Sequence, residues 1–324
     1  MINILISKDL GLKTLEEITK HFDNNCVNVL TINDDDDSRS KLKEIKILCN
    51  EKNINLSVSS SKKDTHDFLV ERNNNITLVV CWYQLILSET LNKLEKPIIG
   101  IHNSILPKFR GGSPLVWTIL CGEKVFGYSV FEISNGMDEG RLYSQKEFKL
   151  ESEMSVKNCM DIIEESFISE LGNLVGDLKN KVKPTEQVKY GVSFCSQRLP
   201  IDGFINWNQE NFQIHNFIRS QSHPYPGSYS FLNGKKIIFQ KSRLINDRCF
   251  GTPGQIFKIE DEGIFIVCSN NSILLVEEII VNGEIINPNK HIKSVKSRFS
   301  KYNVEEVNEL YNDFYISRKK EMFN

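Results

Sequence analysis

The sequence has almost no net charge. Over 324 residues, 40 Lys and Arg face 42 Asp and Glu, leaving −2 at neutral pH. That balance excludes a strongly basic nucleic-acid binder, whose affinity comes mainly from phosphate neutralisation. No apolar run approaches the roughly 20 residues of a membrane-spanning helix. Residues 1–7 carry neither a basic region nor a cleavage site, so they are expected as a first strand and not a signal peptide. The eight cysteines never form a CxxC pair, which excludes a zinc ribbon and a small disulfide scaffold. Most are expected to be small buried hydrophobes. The six histidines show no HExxH or HxH clustering, and no metal site is expected. What is present is 40% hydrophobic residues against 25% charged, too apolar for a disordered chain. The length suits two compact domains, and the expected location is cytoplasmic.

The first hundred residues alternate two periodicities. Residues 3–6 (NILI) read as a strand, after which Leu12, Leu15, Ile18 and Phe22 recur at helical spacing. Residues 27–32 form a second strand, followed by Leu42, Ile45 and Leu48 on one helical face. A third strand is expected at 54–58, with a short helix around 68–71. The run 76–81 (ITLVVC) is continuously apolar, as a strand covered on both faces must be, and 97–101 (PIIGI) is another. This alternation predicts βαβ units and an open α/β sheet. Ser7-Lys8-Asp9-Leu10-Gly11 comes after the first strand where a GxGxxG would stand, so hydride chemistry loses its main support. Ligands of open α/β sheets sit beyond the carboxyl ends of strands, which directs attention to the segments after Cys81 and Ile101.

Farther on, Val156, Cys159, Met160, Ile163, Phe167, Leu171, Leu174 and Leu178 fall on one helical stripe, with Ser155 placed to cap it. Residues 179–189 are polar, contain Pro184 and read as a linker. Trp207, the turn residues Pro224, Pro226 and Gly227, and short strands at 228–232, 236–240, 254–259, 264–268 and 272–281 suggest a small β-barrel. From 304 onward there is a weak helical pattern, with a basic run at 318–320. The expected organisation is a catalytic domain over 1–185, a linker over 186–202 and a second domain over 203–324.

Chemistry concentrates in 100–140. His102 stands where a buried strand emerges, Leu106-Pro107 and Arg110-Gly111-Gly112 build a tight loop, and Asp138 occupies a turn about one hairpin later. A His oriented by an Asp accepts a proton or stabilises developing negative charge. Singly, each feature has an ordinary explanation: a structural His, an Asp-containing turn, a solvated loop. In this order they point to a site.

His102-Asn103-Ser104-Ile105-Leu106-Pro107, then Arg110-Gly111, Pro114, Trp117, Gly127 and Asp138-Glu139-Gly140, resemble the signature of 10-formyltetrahydrofolate-dependent formyltransferases. Arg198-Leu199-Pro200-Ile201-Asp202-Gly203, Ile205-Asn206-Trp207, Ile218-Arg219 and Pro224-Tyr225-Pro226-Gly227 extend the resemblance into the second half. It implies a Rossmann-like open-sheet domain followed by a small OB-like β-barrel, and formyl transfer from N10-formyltetrahydrofolate to an amine. It further implies that His102 stabilises the tetrahedral intermediate and that Asp138 tunes it. The folate would meet Tyr83, Gln84, Leu85 and Ile86, and the loop of Ser134, Asn135, Gly136 and Met137. One departure stands out. The family pattern N-x-H-x-S-L-L-P has an Asn two residues before the His, and here that position is Gly100. Losing one oxyanion donor costs ~2.7–4 kcal/mol of transition-state stabilisation. Asn103 is expected as the stand-in if the backbone turns at His102, with Asn135 as the alternative.

Three acceptors compete: the amine of a UDP- or dTDP-linked amino deoxy sugar for surface glycans, methionyl-tRNA, and, given Gly100, water or none in a folate-binding relative. A tRNA must be held through phosphate contacts, and the resemblance implies a basic loop after the second strand. Asn33-Asp34-Asp35-Asp36-Asp37 stands there instead, which favours the nucleotide sugar although Lys235, Lys236, Lys241 and Arg243 lie in the second half. Lys8, Ser104, Lys108, Arg110, Gly111 and Gly112 are then expected around the substrate, the cations for phosphate and the glycines for close backbone approach. Trp117 or Tyr225 is a candidate for stacking on the base. No membrane partner is expected, and a homodimer through exposed strands or the C-terminal segment is left open.

Overall fold

This computed structural model describes residues 1–299; the tail from 304 onward, with its basic run, lies outside the described residues. Two compact units are present. The first comprises Met1–Thr118, Val125–Lys149 and Asn158–Gln197. Its elements are β1 (Ile2–Ile6), α1 (Lys8–Ile18), β2 (Val27–Ile32), α2 (Leu42–Glu51), β3 (Asn55–Ser59), α3 (Lys62–Glu71), β4 (Ile76–Val80), α4 (Ser88–Leu91), β5 (Ile98–His102) and β6 (Arg110–Gly111). Next in order are α5 (Pro114–Leu120), β7 (Val125–Glu132), β8 (Leu142–Lys149), α6 (Val156–Lys179) and β9 (Phe194–Cys195).

The main sheet runs β3-β2-β1-β4-β5-β7-β8. Its first five strands are parallel, and β7 and β8 add an antiparallel edge. Every residue of β1 is buried, as is β4 from Thr77 to Val80, because helices cover both faces and no strand position can stay polar-out. The chain builds outward from β1 through β2 to β3, then returns to start β4 on the other side of β1. That reversal opens a crevice at the carboxyl ends of β1 and β4. Gly11 of α1 has a packing role: a Cβ there would lie 3.0 Å from the Ile6 Cβ. The stripe predicted for α6 is present, with Cys159, Ile163, Phe167, Leu171 and Leu174 buried, while Met160 and Leu178 are only half-buried.

The expected linker is divided. Residues 186–197 belong to the first unit, where β9 pairs in parallel with β6, and the second unit takes up the chain from Arg198. Composition misled because, in a stretch that is otherwise largely exposed, the side chains of Gln187, Ser193 and Gln197 bond back to the first unit. Only Cys49, Cys159 and Cys268 are buried, and Cys81 and Cys121 are exposed, so the expectation of mostly buried cysteines fails.

The second unit is an antiparallel sheet of β10 (Ser228–Leu232), β11 (Lys235–Ile245), β12 (Ile256–Glu260), β13 (Gly263–Val267), β14 (Ile273–Val281) and β15 (Glu284–Ile286). The order is β10-β11-β14-β13-β12, with β15 beside β14. A helix not anticipated from the sequence, α7 (Asn211–Gln221), buries Ile214 and Ile218 in the same core as Phe239, Ile264 and Leu274. Trp207 is buried there, stacked on Phe299 at 5.4 Å, and donates its indole N–H to Ser230 Oγ at 3.1 Å. Truncating a fully buried ring such as Phe239 costs ~3–5 kcal/mol.

Candidate active site

His102 ends β5 and is 8% exposed. Its Nε2 lies 2.8 Å from the Phe109 carbonyl oxygen, which can only accept, so Nε2 carries the proton. Nδ1 then faces Asp138 Oδ2 at 3.6 Å. The same Oδ2 accepts the Gly111 N–H at 2.7 Å. A proton taken up at Nδ1 faces the Asp138 carboxyl. The pair can therefore take a proton from a nucleophile and end as an imidazolium beside a carboxylate.

The backbone around this pair is strained. Phe109 (φ 56°), Ser113 (φ 53°) and Asp138 (φ 48°) are all left-handed, a cost that persists only where surrounding structure enforces it. Gly111 has φ 104°, and a Cβ there would lie 2.4 Å from the Cys195 carbonyl oxygen; at Gly140 it would lie 1.7 Å from that of Glu132. The glycines read as loop and turn residues are thus required for close approach. The loop after His102 is fixed from within: Ser129 Oγ donates to Ser104 O and accepts from Leu106 N–H, and Gln145 Nε2 donates to Leu106 O.

A cleft of about 660 Å3 adjoins the pair. Trp82, Gln84, Leu85 and Ile86 line it after β4, and Ser134, Asn135, Gly136, Met137 and Asp138 line it after β7, with Gly100, His102 and Gly111 between. Among the described residues, Trp82 Nε1 and Ser134 Oγ are buried on its walls without a partner, the kind of polar atom a bound heterocycle satisfies. Gln84 is tethered, its Oε1 accepting from Ser59 Oγ at 3.0 Å and Thr65 Oγ1 at 2.9 Å. A Cβ at Gly100 would lie 3.2 Å from Ile133 Cδ1, so an apolar side chain stands where an Asn would project.

Other expected residues lie elsewhere. Asn103, in the bend just past β5, does not line the cleft; Asn135 does. Tyr83 is also off the cleft and hydrogen-bonds Asp34; burial, then the nearby carboxylate, pushes its hydroxyl pKa up to about 12. Lys8 does not reach out for phosphate. Its Nζ is bound by Asp34 at 2.5 Å and Asp37 at 2.7 Å and lies 5.3 Å from the Tyr83 ring centre. Arg39 and Lys8 hold the Asp37 carboxyl below its usual range. The acidic run is therefore half consumed internally, and only Asp35 and Asp36 are exposed. Ser104 is buried, donating to Lys108 O, while Lys108 is exposed. Gly112 bonds through its N–H to Cys195 O, and Trp117 is half-buried with its indole N–H on Ser196 O. Arg110 Nη2 donates to Gln187 Oε1 at 2.7 Å. Gln187 was hidden in the sequence, a polar residue in a stretch without periodicity. Among the described residues no group of three or more His, Cys, Asp or Glu could hold a metal ion, and no helix is long and apolar enough to cross a membrane.

An open, mostly parallel sheet with a His–Asp pair and an adjoining cleft at its strand ends is an α/β architecture with its candidate active site where such sheets bind ligands. Residues 4–167 match the formyl transferase family and 200–296 match the formyl transferase C-terminal domain; the chain belongs to this family. It is 33% identical over 208 residues to the bifunctional polymyxin resistance protein ArnA of Wigglesworthia glossinidia brevipalpis, covering 64% of this chain but 31% of that protein. It is 30% identical over 265 residues to the methionyl-tRNA formyltransferase of Malacoplasma penetrans, covering 77% of this chain and 80% of that one. Its fold is similar to that of WlaRD, a sugar 3N-formyl transferase solved with dTDP and 5-N-formyl-THF. The TM-score is 0.66 at 23% identity, over 85% of this chain and 96% of that one.

Proposed function

We propose that this enzyme transfers the formyl group of N10-formyltetrahydrofolate to the amine of a UDP- or dTDP-linked amino deoxy sugar, in the cytoplasm, for surface-glycan synthesis. The donor is assigned to the cleft between the loops after β4 and β7, where Trp82 Nε1 and Ser134 Oγ would find partners. The antiparallel second unit is read as OB-like.

In this reading the amine nitrogen bonds to the formyl carbon, and the bond from that carbon to N10 breaks. His102 Nδ1, backed by Asp138, takes a proton from the attacking amine and returns one to N10, which leaves as tetrahydrofolate. The transient imidazolium lies beside the developing oxyanion and stabilises it. Asn135 is the side-chain donor on the cleft nearest in kind to the missing Asn at Gly100.

The observation that carries the choice of acceptor is the loop after β2. It presents Asp35 and Asp36 outward while Asp34 and Asp37 engage Lys8 and Arg39, an arrangement that repels a phosphate backbone. Methionyl-tRNA is the second reading, favoured by the relative from Malacoplasma penetrans, which this chain matches over most of its length. The test is a formylation assay with N10-formyltetrahydrofolate, offering UDP- and dTDP-linked amino sugars beside charged initiator tRNA. Turnover of a sugar nucleotide is expected. Formylation of the tRNA alone, or tetrahydrofolate release without any acceptor, would overturn the proposal.

A further inference from the structure

Both halves of the His102–Asp138 pair are held by one stretch of chain that composition marks as a spacer. Gln187 is 8% exposed, and its side chain is fully used. Nε2 donates to Asp138 O and to Gly140 O, each at 2.8 Å, while Oε1 accepts from Arg110 Nη2 at 2.7 Å. One amide thus closes the left-handed turn that presents the Asp138 carboxylate and ties it to the strand bearing Gly111, whose N–H bonds that carboxylate. Six residues on, Ser193 Oγ accepts the N–H of Phe109 at 2.9 Å. Phe109 is itself left-handed, and its carbonyl is what fixes the proton on His102 Nε2. The backbone of Ser193 bonds on either side, to Pro107 O and from Arg110 N–H.

We infer that residues 187–195 act as a positioning strap, in which Gln187 sets the Asp138 carboxylate and Ser193 sets, through Phe109, the tautomer and tilt of His102. The inference rests on the His102–Asp138 reading of the reaction. Its physical basis is distance: Nδ1 and Oδ2 are 3.6 Å apart, so a small slip of the Asp138 turn decides whether they share a proton. Misplacing a reacting group by about 1 Å costs about 100-fold in rate. Neither side chain touches the cleft, so neither is a catalytic residue.

The test compares Gln187→Glu, Gln187→Leu, Ser193→Ala and Ser193→Thr in the full chain. Gln187→Glu keeps the acceptor for Arg110 but loses both N–H donors, and Ser193→Ala leaves the backbone bonds of the strap in place. Steady-state rates with N10-formyltetrahydrofolate and the turned-over acceptor are measured from pH 5.5 to 9, with the thermal midpoint alongside. The expected result is a fall in kcat of about 100-fold for both Gln187 variants and about tenfold for Ser193→Ala. KM for the donor should change little, the pH–rate profile should shift, and Ser193→Thr should restore the rate. Unchanged kcat and pH profile in folded Gln187→Glu and Ser193→Ala would overturn the strap, provided His102→Asn and Asp138→Asn are inactive. Active His102→Asn and Asp138→Asn would overturn the underlying reading and the strap with it.

Discussion

Two buried histidines in this chain have opposite employment. His215 on α7 is 3% exposed and both its nitrogens end on neutral partners: Nε2 on Ser152 O at 2.9 Å and Nδ1 on Ser242 Oγ at 3.0 Å. That pattern satisfies an uncharged ring that donates from Nε2 and accepts the Ser242 hydroxyl at Nδ1. His102 also spends Nε2 on a carbonyl, but its Nδ1 meets a carboxylate beside a cleft. Burial alone does not separate a structural histidine from a catalytic one. What separates them is whether the second nitrogen's partner can exchange a proton.

The largest effect should come from breaking the exchangeable partner. His102→Asn and Asp138→Asn are each expected to lower kcat by about 1,000-fold, within the range of general acid–base catalysis, while retaining folate binding by calorimetry. Near-normal turnover in either would erase the distinction drawn between the two rings. A smaller loss, about 100-fold in kcat, is expected for Asn135→Ala as the donor that replaces an Asn at Gly100. If Asn103→Ala shows that loss instead, the oxyanion contact belongs to Asn103 and the loop moves on binding.

For His215 the loss should be in stability and not in chemistry. His215→Ala leaves the buried Ser242 Oγ without its ring partner, at a cost of ~1–3 kcal/mol. Urea denaturation followed by amide exchange over 211–221 reads it directly. An unchanged exchange rate would show that the ring's contacts are dispensable to α7.

Much of the first unit was legible, because a strand covered on both faces must be apolar throughout and 76–81 is. The His102 loop and the Asp138 turn were legible through their ordered motif. Gln187 and Ser193 were not: their partners lie 49 residues away at Asp138 and 84 residues away at Phe109, and nothing local requires a polar residue there. Lys8 misled for the same reason, since the carboxylates that bind it are 26 and 29 residues downstream. Helix α7 escaped because the face carrying Ile214 and Ile218 also buries His215 and Arg219, the latter donating to the carbonyls of Glu151 and Met154, so its stripe does not read as apolar.

The smallest effect sharpens the comparison through pH. Burial holds the His215 pKa below its usual value, with the Arg219 guanidinium acting the same way against the Ser152 carbonyl and the more distant Glu153 and Glu277. The unfolded chain protonates this ring near the ordinary value of about 6.5, whereas the folded chain does so only at lower pH. Between those two points the unfolded state binds more protons, so the second unit's stability is fully present above about pH 6.5 and falls as pH drops through the window. Below the folded pKa the loss levels off. The slope from one such group is at most about 1.4 kcal/mol per pH unit. Urea midpoints measured at pH 7.5, 6.5 and 5.5, with exchange over 211–221 as the local readout, should decline in that direction, and His215→Gln, which cannot titrate, should flatten the decline. An equal slope in both proteins would mean that other groups carry the pH dependence and that the His215 pocket tolerates the charged ring.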